Sequence, residues 1–369
     1  MEYKHKDGMR IDAIDIAKGI GIIFVVFCHV NFTPNILTMV YGFHMPLFFI
    51  ISGLLFSKDK YARFELFLKR RLITLICPYV LFYIFCVIST FLLQIISEGF
   101  HIGLVKEHAR YFIQMIVASG GSSAVINEPF WFVLSLFAVE ILYYFIVKIK
   151  RKSIIAITCA VLSFVGWFLQ SDLILIPNEY IPWNLDSSLF AIGFYAFGNL
   201  MGDKIKIGIN YLNKRGCKNW LCIGIFSLCI LIYIPITVLN GKISIGSKIL
   251  NNGFLLYISG IVGTIAVIAI SIMLSKNRFL RFCGRNSFYI MSVHCLIRNA
   301  PLIIIYKILG LEPYDRYDLV DSLVPFVIVL SLSVVLVLMY SMLKIKCIHI
   351  CNERRKKGEY YEKSVIAKN

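Results

Sequence analysis

The sequence predicts an all-α, polytopic membrane protein with about ten transmembrane helices. Of its 369 residues, 59% are hydrophobic, and the mean hydropathy is +0.77. Uncharged apolar runs long enough to cross a bilayer recur along the whole chain. Basic residues alternate between the two sides that these runs define, which favours an even number of spans with both termini in the cytoplasm. A soluble globular fold is therefore excluded.

Ten apolar segments form the predicted spans, with ends defined to within several residues. They cover residues 14–32, 39–56, 72–96, 130–147, 153–170, 185–202, 219–239, 254–274, 286–309 and 322–343. We predict one transmembrane domain over 1–343 and a basic cytoplasmic tail over 344–369.

The net charge of +17 follows the membrane topology. Of the 38 Lys and Arg residues, 30 lie on the side of the N-terminus, 7 lie on the opposite side, and Lys18 lies within the first span. This asymmetry indicates orientation in the bilayer and attraction to anionic lipid or a cytoplasmic phosphate ligand. We therefore expect the lipid bilayer as a partner, and no nucleic acid.

The eleven cysteines lie in predicted spans or cytoplasmic segments, so we expect no structural disulfide. Histidines and cysteines form no convincing cluster with metal-ligand spacing, and we expect no metal. Neither a Walker motif nor a dinucleotide-binding glycine motif is present.

The first span carries an ionisable side chain near each end. Lys18 and His29 are eleven positions apart, which places them on one face of a helix and about 16 Å apart along its axis. Lys18 is either an anchor for an anion or a cation that reaches the interface beside Asp15. His29 is either a proton acceptor or a hydrogen-bonding residue in helix packing. The layout suits a long anionic cofactor whose reactive end lies at His29.

The second span adds His44 at the outer membrane boundary, with Pro46 in the first helical turn. A short loop joins the two spans, so His29 and His44 could face one cavity in the outer leaflet. His44 could equally cap its helix at the interface. Ser52 and Gly53 are interpreted as a surface for close helix packing.

Several landmarks along the chain resemble the acyltransferase-3 family of integral-membrane O-acyltransferases, and within it the fucose 4-O-acetylase-like subgroup. The resemblance begins at Asp15-Ile-Ala-Lys18-Gly and His29 and continues, in order, through Phe43-His44-Met45-Pro46-Leu47-Phe48-Phe49, Ile51-Ser52-Gly53, Arg70-Arg71, Pro78-Tyr79, Phe130-Trp131-Phe132, Glu140, Pro182-Trp183-Asn184-Leu185-Asp186, Phe194-Tyr195-Ala196-Phe197-Gly198, Gly284-Arg285-Asn286-Ser287 and His294.

This resemblance implies transfer of an acyl group, commonly acetyl from acetyl-CoA, to a carbohydrate hydroxyl. The family's basic residue and histidine map to Lys18 and His29, and the basic residues at its third span map to Arg70 and Arg71. The family often has a second arginine where this chain has Thr74. We expect Lys18, Arg70 and Arg71 to neutralise the phosphates of acyl-CoA at the cytoplasmic face.

The proposed chemistry requires a general base, because an alcohol oxygen is a weak nucleophile near neutral pH. His29 is the expected base, and Glu140 or Asp186 could orient its second ring nitrogen. Each acid could instead share a proton in helix packing. His294, predicted in the cytoplasmic half, is a less favoured base. Trp131 and Trp183 suit the membrane interface and could also stack on sugar rings.

The expected location is the plasma membrane, with several passes, and a homo-oligomer is compatible with the sequence. The expected acceptor is a sugar of a surface polysaccharide, lipopolysaccharide or exported oligosaccharide. A transporter or flippase of a glycan or lipid-linked sugar is the alternative, since buried His and acidic residues can also relay protons. The chain shows no paired broken helices or internal repeat of the kind common in transporters.

Overall fold

The computed structural model describes residues 11–30, 33–61, 63–117, 127–170, 181–214, 218–299 and 322–343. These residues form an all-α protein. The predicted tail 344–369 and residues 300–309 of the predicted span 286–309 lie outside the described residues. The helices are α1 (Asp12–Cys28), α2 (Pro34–Tyr41), α3 (His44–Leu55), α4 (Phe64–Arg71), α5 (Cys77–Glu98), α6 (Ile102–Val117), α7 (Phe130–Ile146), α8 (Lys152–Leu169), α9 (Leu185–Leu200), α10 (Gly202–Lys214), α11 (Lys218–Asn240), α12 (Gly253–Met273), α13 (Arg278–Arg285), α14 (Ser287–Asn299) and α15 (Ser322–Leu343).

The polytopic all-α architecture is confirmed. Among the described residues, six helical segments are long and apolar enough to cross a membrane, and α7 is a shorter apolar helix. The six are 34–55, 64–96, 152–169, 219–240, 253–273 and 322–343. The number of spans and the side of each terminus stay predictions.

The predicted second span is two helices rather than one. The chain breaks between α2 and α3, where Tyr233 donates a hydrogen bond to the carbonyl of Met39 and Ser259 donates one to the carbonyl of Gly42 at 3.3 Å. The Met39 carbonyl loses its helical partner because the N–H of Phe43 bonds to the carbonyl of Val40. The Gly42 carbonyl has no helical partner because residue 46 is proline, which lacks an N–H. The break sets the position of His44, which becomes the first residue of α3.

The predicted outer loop 97–129 contains a helix that the sequence analysis missed. In α6, large apolar side chains such as Ile113 and Ile116 are exposed alongside Lys106 and Arg110. This mixture of exposed apolar and charged side chains is typical of a helix at a membrane interface. The predicted third span is also preceded by α4, and a π-helical turn at Leu72–Ile76 joins α4 to α5.

Glycines allow two pairs of helices to cross in close contact. A Cβ atom at Gly53 would lie 1.9 Å from the carbonyl oxygen of Tyr195, and one at Gly284 would lie 1.7 Å from that of Asp15. Helix α3 therefore packs directly on α9, and α13 packs on α1. The predicted packing role of Gly53 agrees with this contact.

Candidate active site

A cavity of about 510 Å³ is lined by residues of α1, α3, α5, α7 and α14. Lys18 and His29, which the helical spacing placed on one face, both line it. His44 and Ser52 of α3 line the same cavity. The structure thus brings together the two histidines that the sequence predicted to share a site, and the cavity extends along α1 from one ionisable side chain to the other.

His29 lies immediately after the last residue of α1 and is hydrogen-bonded to Glu128. Its Nδ1 atom is 3.1 Å from Oε2 of Glu128, and its side chain is 15% exposed. Arg298 donates a hydrogen bond from Nη1 to the His29 carbonyl at 2.9 Å, and its Nη2 atom lies 3.9 Å from Oε1 of Glu128. Helix α1 ends at Cys28, so the predicted span 14–32 extends beyond the end of the helix.

The turn that carries Glu128 is fixed to α14. Asn127 is buried and donates a hydrogen bond from Nδ2 to the carbonyl of Ser292 at 2.8 Å. Phe130 begins α7 directly after this turn. Glu128 is therefore held against His29 by the same helix that supplies Arg298.

The hydrogen bond between these two side chains affects the protonation of Glu128. The hydrogen bond with His29 is the main cause that lowers the pKa of Glu128 to about 2, and the charge of Arg298 acts in the same direction. Glu128 is consequently ionised at neutral pH. A carboxylate acceptor at Nδ1 requires a proton on that nitrogen, which leaves the lone pair of a neutral His29 on Nε2. His29 thus has the arrangement of a general base oriented by an acid.

Two further histidines surround this pair. The ring centroids of His29 and His294 are 5.1 Å apart. His294 donates from Nδ1 to the carbonyl of Ile290 at 3.2 Å, and His44 donates from Nδ1 to that of Val40 at 2.9 Å. The prediction that placed His294 in the opposite half of the membrane from His29 is wrong, because α14 begins at Ser287 and brings His294 alongside the end of α1.

His29, His294 and Cys295 could in principle hold a metal ion, since their ligand atoms all lie within 4.8 Å of one another. His29 is too far from His294 and Cys295 in the sequence for their spacing to have indicated a metal site. The guanidinium of Arg298 lies beside it, and a fixed positive charge disfavours the binding of a second cation.

Glu140 does not contact His29 and instead forms a buried ion pair within the helices. Its Oε2 atom lies 2.8 Å from Nε of Arg71, and Tyr195 donates a hydrogen bond to Oε1 at 3.4 Å. The expectation that Glu140 orients His29 is corrected. His29 meets Glu128 just before α7 begins, whereas Glu140 lies ten positions after the first residue of α7, which is about 15 Å along the helix. The packing interpretation, with a proton-sharing tyrosine, agrees with this environment.

Asp186 also has a partner other than His29. It is fully buried, and its Oδ2 atom lies 3.1 Å from Nζ of Lys248, which is itself 5% exposed. The expectation that Asp186 orients the base is likewise corrected. Lys248 belongs to the turn between α11 and α12, so the partner of Asp186 comes from a loop that the sequence analysis had treated only as a connection.

Of the three predicted donor-binding residues, only Lys18 lines the cavity. Arg70 is exposed on α4, with its guanidinium carbon 6.0 Å from the ring centroid of Tyr61. Arg71 is held by Glu140 and lies one helical turn before Leu75, which does line the cavity. Binding of acyl-CoA by Arg70 and Arg71 stays a prediction.

Glu128 and Arg298 are the site residues that sequence reasoning missed. Glu128 lay in the segment 97–129 assigned to an outer loop, where charged residues are usually solvated, and Arg298 lay at the outer end of the predicted span 286–309. The sequence contained one indication for Glu128. It lies directly before Pro129 and Phe130-Trp131-Phe132, and the latter segment resembles the acyltransferase-3 family. Trp131 lines the cavity, whereas Trp183 is 42% exposed and donates a hydrogen bond to the carbonyl of Ile116 at 3.0 Å.

The fold and the site together define a helical, multi-pass membrane protein with an oriented histidine in an internal cavity. The family model described as an acyltransferase domain, Acyl_transf_3, matches residues 11–342. The chain therefore belongs to the acyltransferase-3 family and is a membrane acyltransferase. Comparison with curated proteins found no match, and comparison with solved structures found none. The subgroup expected from the sequence stays a prediction.

Proposed function

We propose that this acyltransferase moves an acyl group, most simply acetyl, from acyl-CoA to a hydroxyl group of a carbohydrate, with His29 as the general base. The observation that supports this proposal most strongly is the His29–Glu128 pair, with 3.1 Å between Nδ1 and Oε2, in the wall of a cavity that also reaches Lys18. A base with an ionised partner is suited to deprotonating an alcohol.

The reaction needs one base and no covalent enzyme intermediate. Nε2 of His29 takes the proton of the acceptor hydroxyl while the hydroxyl oxygen attacks the thioester carbonyl carbon. The new carbon–oxygen bond forms, the carbon–sulfur bond breaks, and the proton passes from the imidazolium to the departing thiolate of CoA. Glu128 stabilises the imidazolium in between, in the way that a carboxylate supports histidine in other acyl transfers.

The donor would lie along α1. Lys18 is about 16 Å from His29 along the helix axis, which suits a long donor with phosphates at one end and a thioester at the other. The exposed guanidinium of Arg70 adds a phosphate-binding group near the start of the third predicted span. We place this end of the cavity at the cytoplasmic face of the plasma membrane, where acyl-CoA is available.

The experiment measures transfer of labelled acetyl from acetyl-CoA to envelope carbohydrate in membranes that contain the protein. The wild type should place label in an alkali-labile ester, and His29→Asn should lower the rate at least 100-fold, the usual share of general base catalysis. His101→Asn is the matched control, because His101 is exposed at the start of α6.

Two other results would contradict the proposal. Unchanged transfer by an equally abundant His29→Asn variant would retain the acyltransferase and remove His29 as its base. Glycan movement across the membrane by wild-type protein, without transfer of label and without binding of acetyl-CoA, would favour the transporter alternative.

A further inference from the structure

The turn between α11 and α12 forms part of the cavity wall. Ser244 and Ser247 line the cavity, and their hydroxyl oxygens are 2.9 Å apart. Gly246 lies against the indole of Trp131: a Cβ atom at this glycine would be 2.4 Å from Nε1 of Trp131. The segment 243–250, called the serine hairpin below, is closed by a single bridge between Ser244 and Ile249.

The serine hairpin lines the same cavity as His29 and contacts Trp131. Trp131, whose indole contacts the hairpin, follows Glu128 by only three positions in the sequence. Glu128 is the residue that contacts His29, so the hairpin and His29 are connected through neighbouring residues. Lys18 lies at the far end of the same cavity, about three turns away along α1. A molecule against the hairpin would therefore approach His29 from the side opposite to the donor phosphates.

The hairpin is held in place by the buried ion pair between Lys248 and Asp186. Ser187 adds a hydrogen bond to the carbonyl of Ile245 at 3.1 Å. Lys248 has φ of 60°, a left-handed conformation that is costly for a side chain other than glycine. Buried ion pairs contribute little net stability, because desolvation offsets their attraction, so a positioning role explains this pair better.

The chemistry of this wall fits a neutral polyol. It presents an aromatic ring, two hydroxyl groups and the amide of Gln114, which also lines the cavity. The one charged side chain of the hairpin, Lys248, is buried and paired with Asp186. Aromatic faces pack on the apolar face of sugar rings, and hydroxyl and amide groups bond their hydroxyls.

We propose that the serine hairpin and Trp131 form the carbohydrate acceptor subsite, and that Asp186 is a positioning residue that holds this subsite through Lys248. This inference rests on the proposed function, since it assigns the second substrate of the same reaction. It gives Asp186 a role in acceptor binding, without contact between its carboxylate and the reacting atoms.

The first test separates acceptor binding from donor binding. Purified wild-type protein in liposomes receives labelled acetyl-CoA and an equimolar mixture of methyl glycosides of glucose, galactose, mannose, fucose and N-acetylglucosamine. The Ser244→Ala/Ser247→Ala variant should raise the KM for glycoside about 10- to 30-fold, the loss expected for two hydrogen bonds, and should leave the KM for acetyl-CoA unchanged. Ser153→Ala, at an exposed position on α8, is the matched control.

The second test addresses Asp186 with a variant designed to fold. Asp186→Leu/Lys248→Met removes both buried charges together, which avoids leaving one of them unpaired. A melting temperature like that of the wild type, with a raised KM for glycoside and an unchanged KM for acetyl-CoA, is the expected result. An unchanged KM for glycoside in this variant would overturn the positioning role.

The outcomes distinguish the inference from the proposed function. Transfer to glycoside with the same acceptor KM in the wild type and the double serine variant would overturn the subsite and leave the acyltransfer proposal intact. Transfer to a lipid hydroxyl but to none of the glycosides would overturn the substrate class. Absence of both transfer and acetyl-CoA turnover in the wild type would overturn the proposed function and the inference together.

Discussion

Replacing Glu128 with Gln tests the central interaction of the site. The amide oxygen of Gln can still accept a hydrogen bond from Nδ1 of His29, so the variant removes the negative charge and retains an acceptor. The proposed role of Glu128 is to stabilise the imidazolium that forms when His29 takes a proton. The variant should therefore lower kcat and leave the KM for acetyl-CoA unchanged.

The magnitude follows from the distance and the exposure. At the observed 3.1 Å, Coulomb's law gives about 1.3 kcal/mol in water and about 5 kcal/mol at an effective dielectric constant of about 20. The side chain of Glu128 is 60% exposed, so solvent screening puts the value in the lower part of this range, about 1–3 kcal/mol. Since each 1.36 kcal/mol is tenfold in rate, kcat should fall about 5- to 150-fold.

The assay is the rate of acetyl transfer as a function of pH. Because the pKa of Glu128 is lowered to about 2, the wild-type carboxylate is ionised at every practical assay pH, and it loses its charge only as the pH falls through that value. Removing this charge disfavours the imidazolium, so the acid limb of the pH–rate profile should move to lower pH. Glu65→Gln, at an exposed position on α4, is the control.

An equally abundant Glu128→Gln variant with the kcat and the pH profile of the wild type would refute this reasoning. A fall in kcat that is matched by loss of folded protein would show a structural role instead. Measuring the melting temperature and the KM for acetyl-CoA of the same preparation separates these results.

Three further predictions concern packing, the buried pair and metal dependence. Gly284→Ala should lower the melting temperature in detergent, because its Cβ would lie 1.7 Å from the Asp15 carbonyl oxygen, whereas Gly208→Ala, with nothing within 4 Å, should not; equal melting temperatures would contradict the crossing of α1 and α13. Glu140→Gln should destabilise the protein by about 3 kcal/mol in a thermal denaturation assay, because it leaves the charge of Arg71 without its partner. Glu140→Leu/Arg71→Met removes both charges and should recover most of that loss. A double variant less stable than the single one would contradict this explanation. Treatment with a strong chelator should leave acetyl transfer unchanged, whereas a loss that added zinc restores would identify the histidine–cysteine group as a metal site.

The sequence by itself determined the class of protein and the arrangement within single helices. Long apolar runs and the distribution of basic residues define a polytopic membrane protein, because the bilayer imposes the same requirements on every chain that crosses it. The helical repeat alone placed Lys18 and His29 on one face, and both line the cavity. Such relations are local, since they depend only on residues within one helix.

Only the tertiary structure decided which charged groups meet. His29 and Glu128 are 99 positions apart, and Arg298 reaches the carbonyl of His29 across 269 positions. Glu140 and Asp186 were reasonable orienting acids by residue type, yet each is committed to a different cation. Helical periodicity carries no information about these pairings, because the relative positions of helices depend on side-chain packing and close glycine contacts across the whole bundle.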